Sequence, residues 1–297
     1  MKNASIINVR GMFRTHGIRP NRALGQHFLT DRNLLQREVE YANISRKDMV
    51  LEIGPGIGNL TELLAKRAKS VIAIEKDLRF RNILSELQAK YDNIRVVYGD
   101  ALQVKFPRFD KMVSNLPFKI ALPLTFKILE HDFEVAVLLC QERLARRMCA
   151  LPGRDGYSRL SVQIRRNADV DFLEVVPKNK FFPPPKVDGA LVRIRRTPPK
   201  FDVPSEEFFK ELLKFMFSQR NKTVRQAVMA LKSTGVPKES LLEVLSRIGR
   251  ILHKKVREIK PREFGSMAWA FWEELGDLTE VFRSFFETHG LYKHENE

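Results

Sequence analysis

Between residues 49 and 196, short apolar runs alternate with amphipathic segments. Residues 50–53, 71–74, 94–98, 111–114 and 135–139 are compact runs rich in Val, Ile and Leu, as buried strands require. Segments at 60–68, 79–90, 124–130, 141–149 and 158–167 carry apolar residues at helical spacing. Asp31 is placed to cap a further helix through residue 42. Strands alternating with helices predict an α/β domain with a mostly parallel sheet, helices covering both faces. Two last strands, 172–176 and 190–194, leave little room for a helix and predict an antiparallel hairpin at the edge. The Pro-rich stretch Thr197-Pro198-Pro199-Lys200 breaks the pattern, and helices are predicted at 206–217, 222–231, 238–248 and 261–275. The expected division is therefore an α/β domain over 1–196 and a small all-helical domain over 197–297.

The first strand runs directly into Gly54-Pro55-Gly56-Ile57-Gly58, and a helix follows from Asn59. Glycines there let the backbone approach a ligand, and the helix start offers free N–H groups. The spacing Gly-x-Gly-x-Gly differs from the Gly-x-Gly-x-x-Gly of dinucleotide-binding loops. The second strand ends in Glu75, about 20 residues on, where a carboxylate can bind ribose hydroxyls. Asp100-Ala101 follows the third strand and Asn115-Leu116-Pro117-Phe118 the fourth. Ligands of open α/β sheets sit at the carboxyl ends of the strands, so these groups should converge on one crevice. Asp100 can accept from the amine of an adenine, with the Ala101 N–H nearby. The Asn115–Phe118 stretch offers two oxygen acceptors, a rigid turn and an aromatic face, which suits a flat base bearing an NH2 group.

Charge changes the picture from a small-molecule enzyme to one facing a polyanion. The net charge is +16, and +14 of it falls in residues 1–196. Nucleic acid is the partner such a field favours. Arg143 and Arg147 share a helix face at i, i+4, and with Arg220, Lys222 and Arg225 they are candidates for phosphate contact. Residues 1–30 hold Lys2, Arg10, Arg14, Arg19 and Arg22 without an acidic residue, and read as a basic arm rather than a transit peptide. No apolar run has the roughly 18 residues of a membrane span. Cys140 and Cys149 lack disulfide or metal-site spacing and read as reduced packing residues of a cytoplasmic protein.

With these motifs in order, the chain resembles the ribosomal RNA adenine N6-dimethyltransferases. Asn115-Leu116-Pro117-Phe118 is similar to the (Asn/Asp)-Pro-Pro-aromatic signature of amino methyltransferases. Leu24–Leu29, Glu52–Thr61, Gln141-Glu142-Arg143 with Arg147, Tyr157–Val162, Phe181–Asp188 and Phe217–Lys222 extend the likeness from about Ala23 to Arg225. The resemblance implies a Rossmann-like methyltransferase domain with S-adenosylmethionine as methyl donor, leaving S-adenosylhomocysteine, and no metal. It implies that Gly54 and Gly56 line the methionine part and Glu75 the ribose. Asp100 and Ala101 would hold the adenine, while His27, Leu29 and Asn115 close over the sulfonium end. It further implies methylation of two adjacent adenines in the 3′-terminal hairpin of small-subunit rRNA, four methyl groups in all, during assembly of the subunit. The helical domain after Pro204 is most like the archaeal-type small-subunit branch, with the helical domain docking on RNA or the ribosome, and a monomer is expected. Phe118 stands where many members have Tyr, and Asn221 where bacterial members often carry a second Arg.

The chemistry can be argued from the residues alone. Adenine N6 is a poor nucleophile because its lone pair is delocalised into the ring. Two acceptors gripping the NH2 favour a pyramidal nitrogen and disperse its developing positive charge. A base inside a helix cannot reach such a site and must be flipped out or presented unpaired. Phe118 would stack on one face of that base, and Phe181 is a candidate for the other or else a core aromatic. Two other readings carry different expectations. A binding factor that lost catalysis on this fold is disfavoured by the intact Gly54–Gly56 loop, Glu75, Asp100 and Asn115–Phe118. A large-subunit rRNA methyltransferase is disfavoured by the helical domain of about 100 residues.

Overall fold

The computed structural model describes residues 7–288, so Lys2 and the tail after Thr288 lie outside the described residues. The apolar runs become seven strands: β1 (Met49–Ile53), β2 (Ser70–Glu75), β3 (Ile94–Tyr98), β4 (Lys111–Asn115), β5 (Val135–Gln141), β6 (Ala168–Val176) and β7 (Gly189–Arg196). Their order in the sheet is β3-β2-β1-β4-β5-β7-β6. The first five strands pair in parallel, whereas β7 is antiparallel to both β5 and β6. Dinucleotide-binding folds run β3-β2-β1-β4-β5-β6; here the expected hairpin places its second strand between β5 and β6. Burial is continuous along β1, β4 and β5 rather than alternating, as in parallel strands covered on both faces.

Helix Arg32–Tyr41 begins where Asp31 accepts from the backbone N–H of Asn33 (3.0 Å) and Leu34 (3.2 Å). Its Leu34, Leu35 and Val39 share a core with Leu60 and Leu64 of helix Asn59–Ala65 and with Val50, Val71, Val113 and Val137 of the sheet. Each such fully buried aliphatic side chain stabilises the fold by roughly 1.5–3 kcal/mol. The basic arm is not a free arm in its described part. Val9–Thr15 is a helix whose Val9 and Phe13 are buried beside Phe80, Ile83 and Leu84. The Phe13 ring meets Phe28 edge-on at 4.9 Å, and Arg10 lies over the Phe182 ring at 4.7 Å. Apolar residues at i, i+4 therefore outweigh the exposed Arg10 and Arg14 beside them.

The chain forms two compact units, one of residues up to Cys149 with Ala168–Arg196, the other of Ala150–Asn167 with Thr197 onward. The expected boundary at 196 is thus one of three crossings. Residues 150–167 cluster with the helical unit because Tyr157 and Val162 are buried among its aromatic core, which includes Phe208, Phe215, Phe264, Phe271 and Phe282. The Tyr157 hydroxyl donates to the Ile259 carbonyl at 2.7 Å, and its ring packs edge-on against Phe217. That unit holds helices Arg159–Asn167, Glu206–Ser218, Val224–Met229, Lys238–Arg247, Pro261–Leu275 and Thr279–Thr288. The last of these goes beyond the sequence reading, although Phe282, Phe285 and Phe286 have helical spacing and are buried. Among the described residues no helix is long and apolar enough to cross a membrane.

Tyr157→Phe keeps the ring but leaves a buried carbonyl without its donor. It should destabilise the protein by about 1–3 kcal/mol in urea unfolding. A midpoint equal to wild type would show that this bond does not tie residues 150–167 to the helical unit.

Candidate functional site

At the end of β1 the chain turns through Gly54 (φ 73°) and Gly56 (φ 55°). The positive φ at Gly56 is one reason for glycine; the other is space, since a Cβ there would lie 2.8 Å from Phe28 Cε1. The Gly56 N–H donates to Glu75 Oε2 at 3.0 Å and the Asp77 N–H to Glu75 Oε1 at 2.7 Å. Glu75 thus joins the glycine loop to the tip of β2. Burial raises its carboxyl above the usual range, while the two N–H donors work against that shift. Gln26 fastens the Leu24–Leu29 segment to the same tip, its Nε2 donating to Asp77 Oδ2 at 2.7 Å. Phe28 and Leu29 pair with Phe182 and Phe181 in a two-stranded antiparallel sheet.

At the end of β3, Asp100 Oδ1 accepts from the Leu102 N–H (2.9 Å) and Oδ2 from Lys76 Nζ (2.8 Å). The Lys76 ammonium holds Asp100 below the ordinary carboxylate range. Lys127 Nζ donates to the carbonyls of Ala101 (2.8 Å), Leu102 (3.1 Å) and Val104 (2.6 Å), fixing the loop that carries Asp100 and Ala101. At the end of β4, Ser114 Oγ accepts from the Ile53 N–H at 2.8 Å, binding β4 to β1 beneath the glycine loop. Leu116 N–H donates to the Leu139 carbonyl (3.0 Å), and the Ile120 N–H to that of Pro117 (3.0 Å), which sets the turn leading to Phe118. The Phe118 ring lies 5.9 Å from the His27 ring and 6.1 Å from Phe181, its plane 71° from that of Phe181. Two near-perpendicular rings are not the parallel walls of a sandwich. Phe181 is also buried in the sheet core. His27 Nδ1 faces the Pro183 carbonyl at 2.8 Å; with an acceptor there, Nδ1 is the donor of that bond.

Two carboxyls stand out that the sequence reading missed. Glu52 lies within the apolar β1, fully shielded from solvent, with Oε2 unpartnered. Burial pushes it up to about 8, with Glu75 adding to the shift. Glu38, also fully buried, is raised well above its ordinary value by burial and by Glu52 and Glu174. With its amide nitrogen toward an ionised Glu38, Asn115 donates to both carboxylate oxygens at 3.1 Å; against that carboxylate the reverse orientation would set acceptors face to face. A charged residue inside an apolar strand was the available signal for Glu52. Glu38 gave none, because its partner is far along the chain.

The strand ends enclose a cavity of about 230 Å³ lined by His27, Leu29, Gly54, Gly56, Glu75, Asp100, Ala101, Asn115–Phe118 and Phe181. Glu52 lines it too. The basic candidates are not among its lining residues. Arg143 is exposed on helix Glu142–Cys149, where its neighbour Arg146 pairs with Glu142 at 2.5 Å. Arg147, on the same helix, is half-buried. Arg220, Lys222 and Arg225 belong to the helical unit; Lys222 and Arg225 are exposed, and Lys222 Nζ donates to Gln219 Oε1 at 2.9 Å.

Comparison with known proteins decides what this arrangement belongs to. The family model described as ribosomal RNA adenine dimethylase matches residues 17–255. The chain belongs to the ribosomal RNA adenine dimethylase family. A probable ribosomal RNA small subunit methyltransferase A of Methanococcus maripaludis is 40% identical over 263 residues, 87% of this chain and 100% of that protein. The crystal structure of a dimethyladenosine transferase from Plasmodium falciparum matches with a TM-score of 0.74 at 30% identity, covering 84% of this chain and 98% of that one. That of the 23S rRNA methyltransferase ErmE matches with a TM-score of 0.63 at 28% identity over 82% of this chain and 98% of that one. The dimethylase fold is thus that of S-adenosylmethionine-dependent methyltransferases, and membership implies that donor.

The residues present fit it. The unpartnered Glu52 oxygen suits a cationic methionine end, the Gly56 position admits no Cβ, and the Glu75 oxygens retain lone pairs for hydroxyls. The carboxyl of Glu52 also gives this dimethylase a testable pH dependence. Its folded value, about 8, lies above the ordinary 4.5. The group's contribution to stability is therefore complete below about 4.5 and is lost as pH rises through about 8. Glu52→Gln removes that loss, so the melting temperature of the variant relative to wild type should climb between acid and alkaline pH. A constant difference would mean that Glu52 is not held as a buried carboxyl.

Proposed function

We propose that this chain transfers methyl groups from S-adenosylmethionine to the exocyclic N6 of adenines in small-subunit rRNA. The observation that carries the reading is the Asn115–Phe118 stretch, which borders the same cavity as the glycine loop and Glu75. The substrate extends to two adjacent adenines of the 3′-terminal hairpin, each receiving two methyl groups, within an assembling small subunit in the cytoplasm. Support for the small subunit comes from the Methanococcus relative, matched over its full length, and from the large helical unit. The large-subunit alternative is represented by ErmE, at lower identity.

Gly54 and Gly56 hold the methionine part of the donor, Glu75 the ribose and Asp100 with Ala101 the adenine. S-adenosylmethionine, when bound, supplies an electrophilic methyl group. Asn115 Oδ1 and the Leu116 carbonyl accept from the N6 amine, draw its lone pair out of the ring and disperse the charge that builds on nitrogen. Phe118 holds the flipped ring by its π face. No side chain is needed as a strong base, since the proton can leave N6 after transfer. His27 and Leu29 close the segment above the reacting atoms and exclude water. Arg143, Arg147, Arg220, Lys222 and Arg225 contact phosphates, and the chain acts as a monomer.

The test is methyl transfer from labelled donor to small-subunit particles lacking the modification, against large-subunit RNA, with the modified base mapped. Label on N6 of adenines in the small-subunit rRNA is the expected result; label on large-subunit RNA alone, or none, would refute the proposal. In the same assay Asn115→Ala should slow single-turnover transfer on the order of 10²–10³-fold. Phe118→Tyr keeps the stacking face and should match wild type. Phe118→Ala should lose about 1–3 kcal/mol of base stacking.

A further inference from the structure

Asn115 can serve an amine only with its oxygen turned to the crevice, yet a primary amide is nearly symmetric in shape. Something must choose between its two orientations. The atoms behind it are the Glu38 carboxylate oxygens, both 3.1 Å from the amide nitrogen. Glu38 sits on helix Arg32–Tyr41, outside every motif that carries the family resemblance, and its side chain is fully shielded from solvent. We propose that Glu38 is the positioning residue of the methyl-transfer site, its carboxylate holding the Asn115 nitrogen so that Oδ1 faces the substrate amine. This rests on the proposed adenine chemistry but concerns a residue that would not touch substrate.

Two consequences follow from the charge. A charge-assisted bond is roughly twice as strong as a neutral one, and donation to a carboxylate polarises the amide, making Oδ1 a better acceptor. A neutral group in place of the carboxylate offers one donor and one acceptor, and no longer discriminates between the two amide orientations. The control is thus ionisation of Glu38, set by the groups facing it. These are Glu52 on β1, Glu174 on β6 and Arg37 on its own helix, together with Asn115 on β4. Glu174 is itself held by Arg37, whose Nε lies 2.9 Å from Oε1, so Glu52 is the uncompensated neighbour. Burial, Glu52 and Glu174 hold Glu38 well above its ordinary value, so its protonation, which should release the amide and slow transfer, sets in well above the ordinary carboxyl range.

The variants Glu38→Gln, Asn115→Asp and the double variant separate this from a packing role. Glu38→Gln should slow single-turnover transfer about fivefold to tenfold, the ratio expected from losing charge assistance. S-adenosylhomocysteine affinity should stay unchanged, and the acid limb of the wild-type pH–rate profile should disappear. Asn115→Asp sets two carboxyls against each other and should be slower still at alkaline pH. The double variant exchanges the two groups: the amide now on the helix can donate to the carboxylate now on β4, so transfer should recover above that of Asn115→Asp alone. Side-chain amide resonances of Asn115, followed by NMR without any RNA, should titrate with Glu38 in wild type and stay flat in Glu38→Gln. Flat wild-type resonances, or a Glu38→Gln variant that keeps both the wild-type rate and its acid limb, would overturn the proposal. If the resonances titrate while no adenine is methylated, the orientation of Asn115 by Glu38 stands and the methyl-transfer reading falls instead.

Discussion

The site depends on one buried carboxylate accepting two backbone N–H groups. Glu75 takes those of Gly56 and Asp77. In the loop with positive φ at Gly54, Gly56 and Gly58, the Gly54 N–H goes to the Ile74 carbonyl and the Gly58 N–H to that of Pro55, while the Gly56 N–H depends on a side-chain acceptor. Glu75 supplies that acceptor from the neighbouring strand, so the glycine loop and the tip of β2 are one object. The Leu24–Leu29 segment joins through Gln26 and Asp77, and Phe28 fills the space that a Cβ at Gly56 would need. Parallel register does the rest, bringing the ends of β1 to β4 to one edge.

Acidic groups line the cavity of a chain that is basic as a whole. The first 196 residues carry a net +14, while the cavity lining sets Glu52, Glu75 and Asp100 beside Lys76, which pairs with Asp100, and Lys119. On the proposed reading these serve different ligands: a polyanion over the surface and a cationic donor inside. A basic cavity would repel the donor, and an acidic surface would repel RNA. Burying carboxyls costs stability at neutral pH, which Glu52 shows by its upward shift to about 8. Such a cost is common where a site is shaped for a ligand rather than for the empty fold.

The strands were legible because short Val- and Ile-rich runs between turn residues have few other solutions, and each of the seven runs forms a strand. Glu75, Asp100 and Asn115 were legible from position, since a residue following a parallel strand has little choice of where to lie. What escaped were features set by distant partners. Tyr157 reads as the start of one more α/β helix until Ile259, about a hundred residues on, accepts its hydroxyl. Glu38 carries no local signal of its place, since only the fold brings Asn115 of β4 beside it. The helix Thr279–Thr288 differs, because Phe282, Phe285 and Phe286 carry a local signal that nearness to the chain end obscures. The N-terminal helix is hidden the same way, its buried Val9 and Phe13 spaced among arginines.

The most direct measurement is a crystal structure with S-adenosylhomocysteine bound. The ribose hydroxyls should lie within hydrogen-bonding distance of Glu75, and the adenine beside Asp100 and Ala101. The sulfur should face Asn115 across the cavity. A nucleoside bound elsewhere, or bound at the strand ends with no contact to Glu75, would contradict the account at its centre.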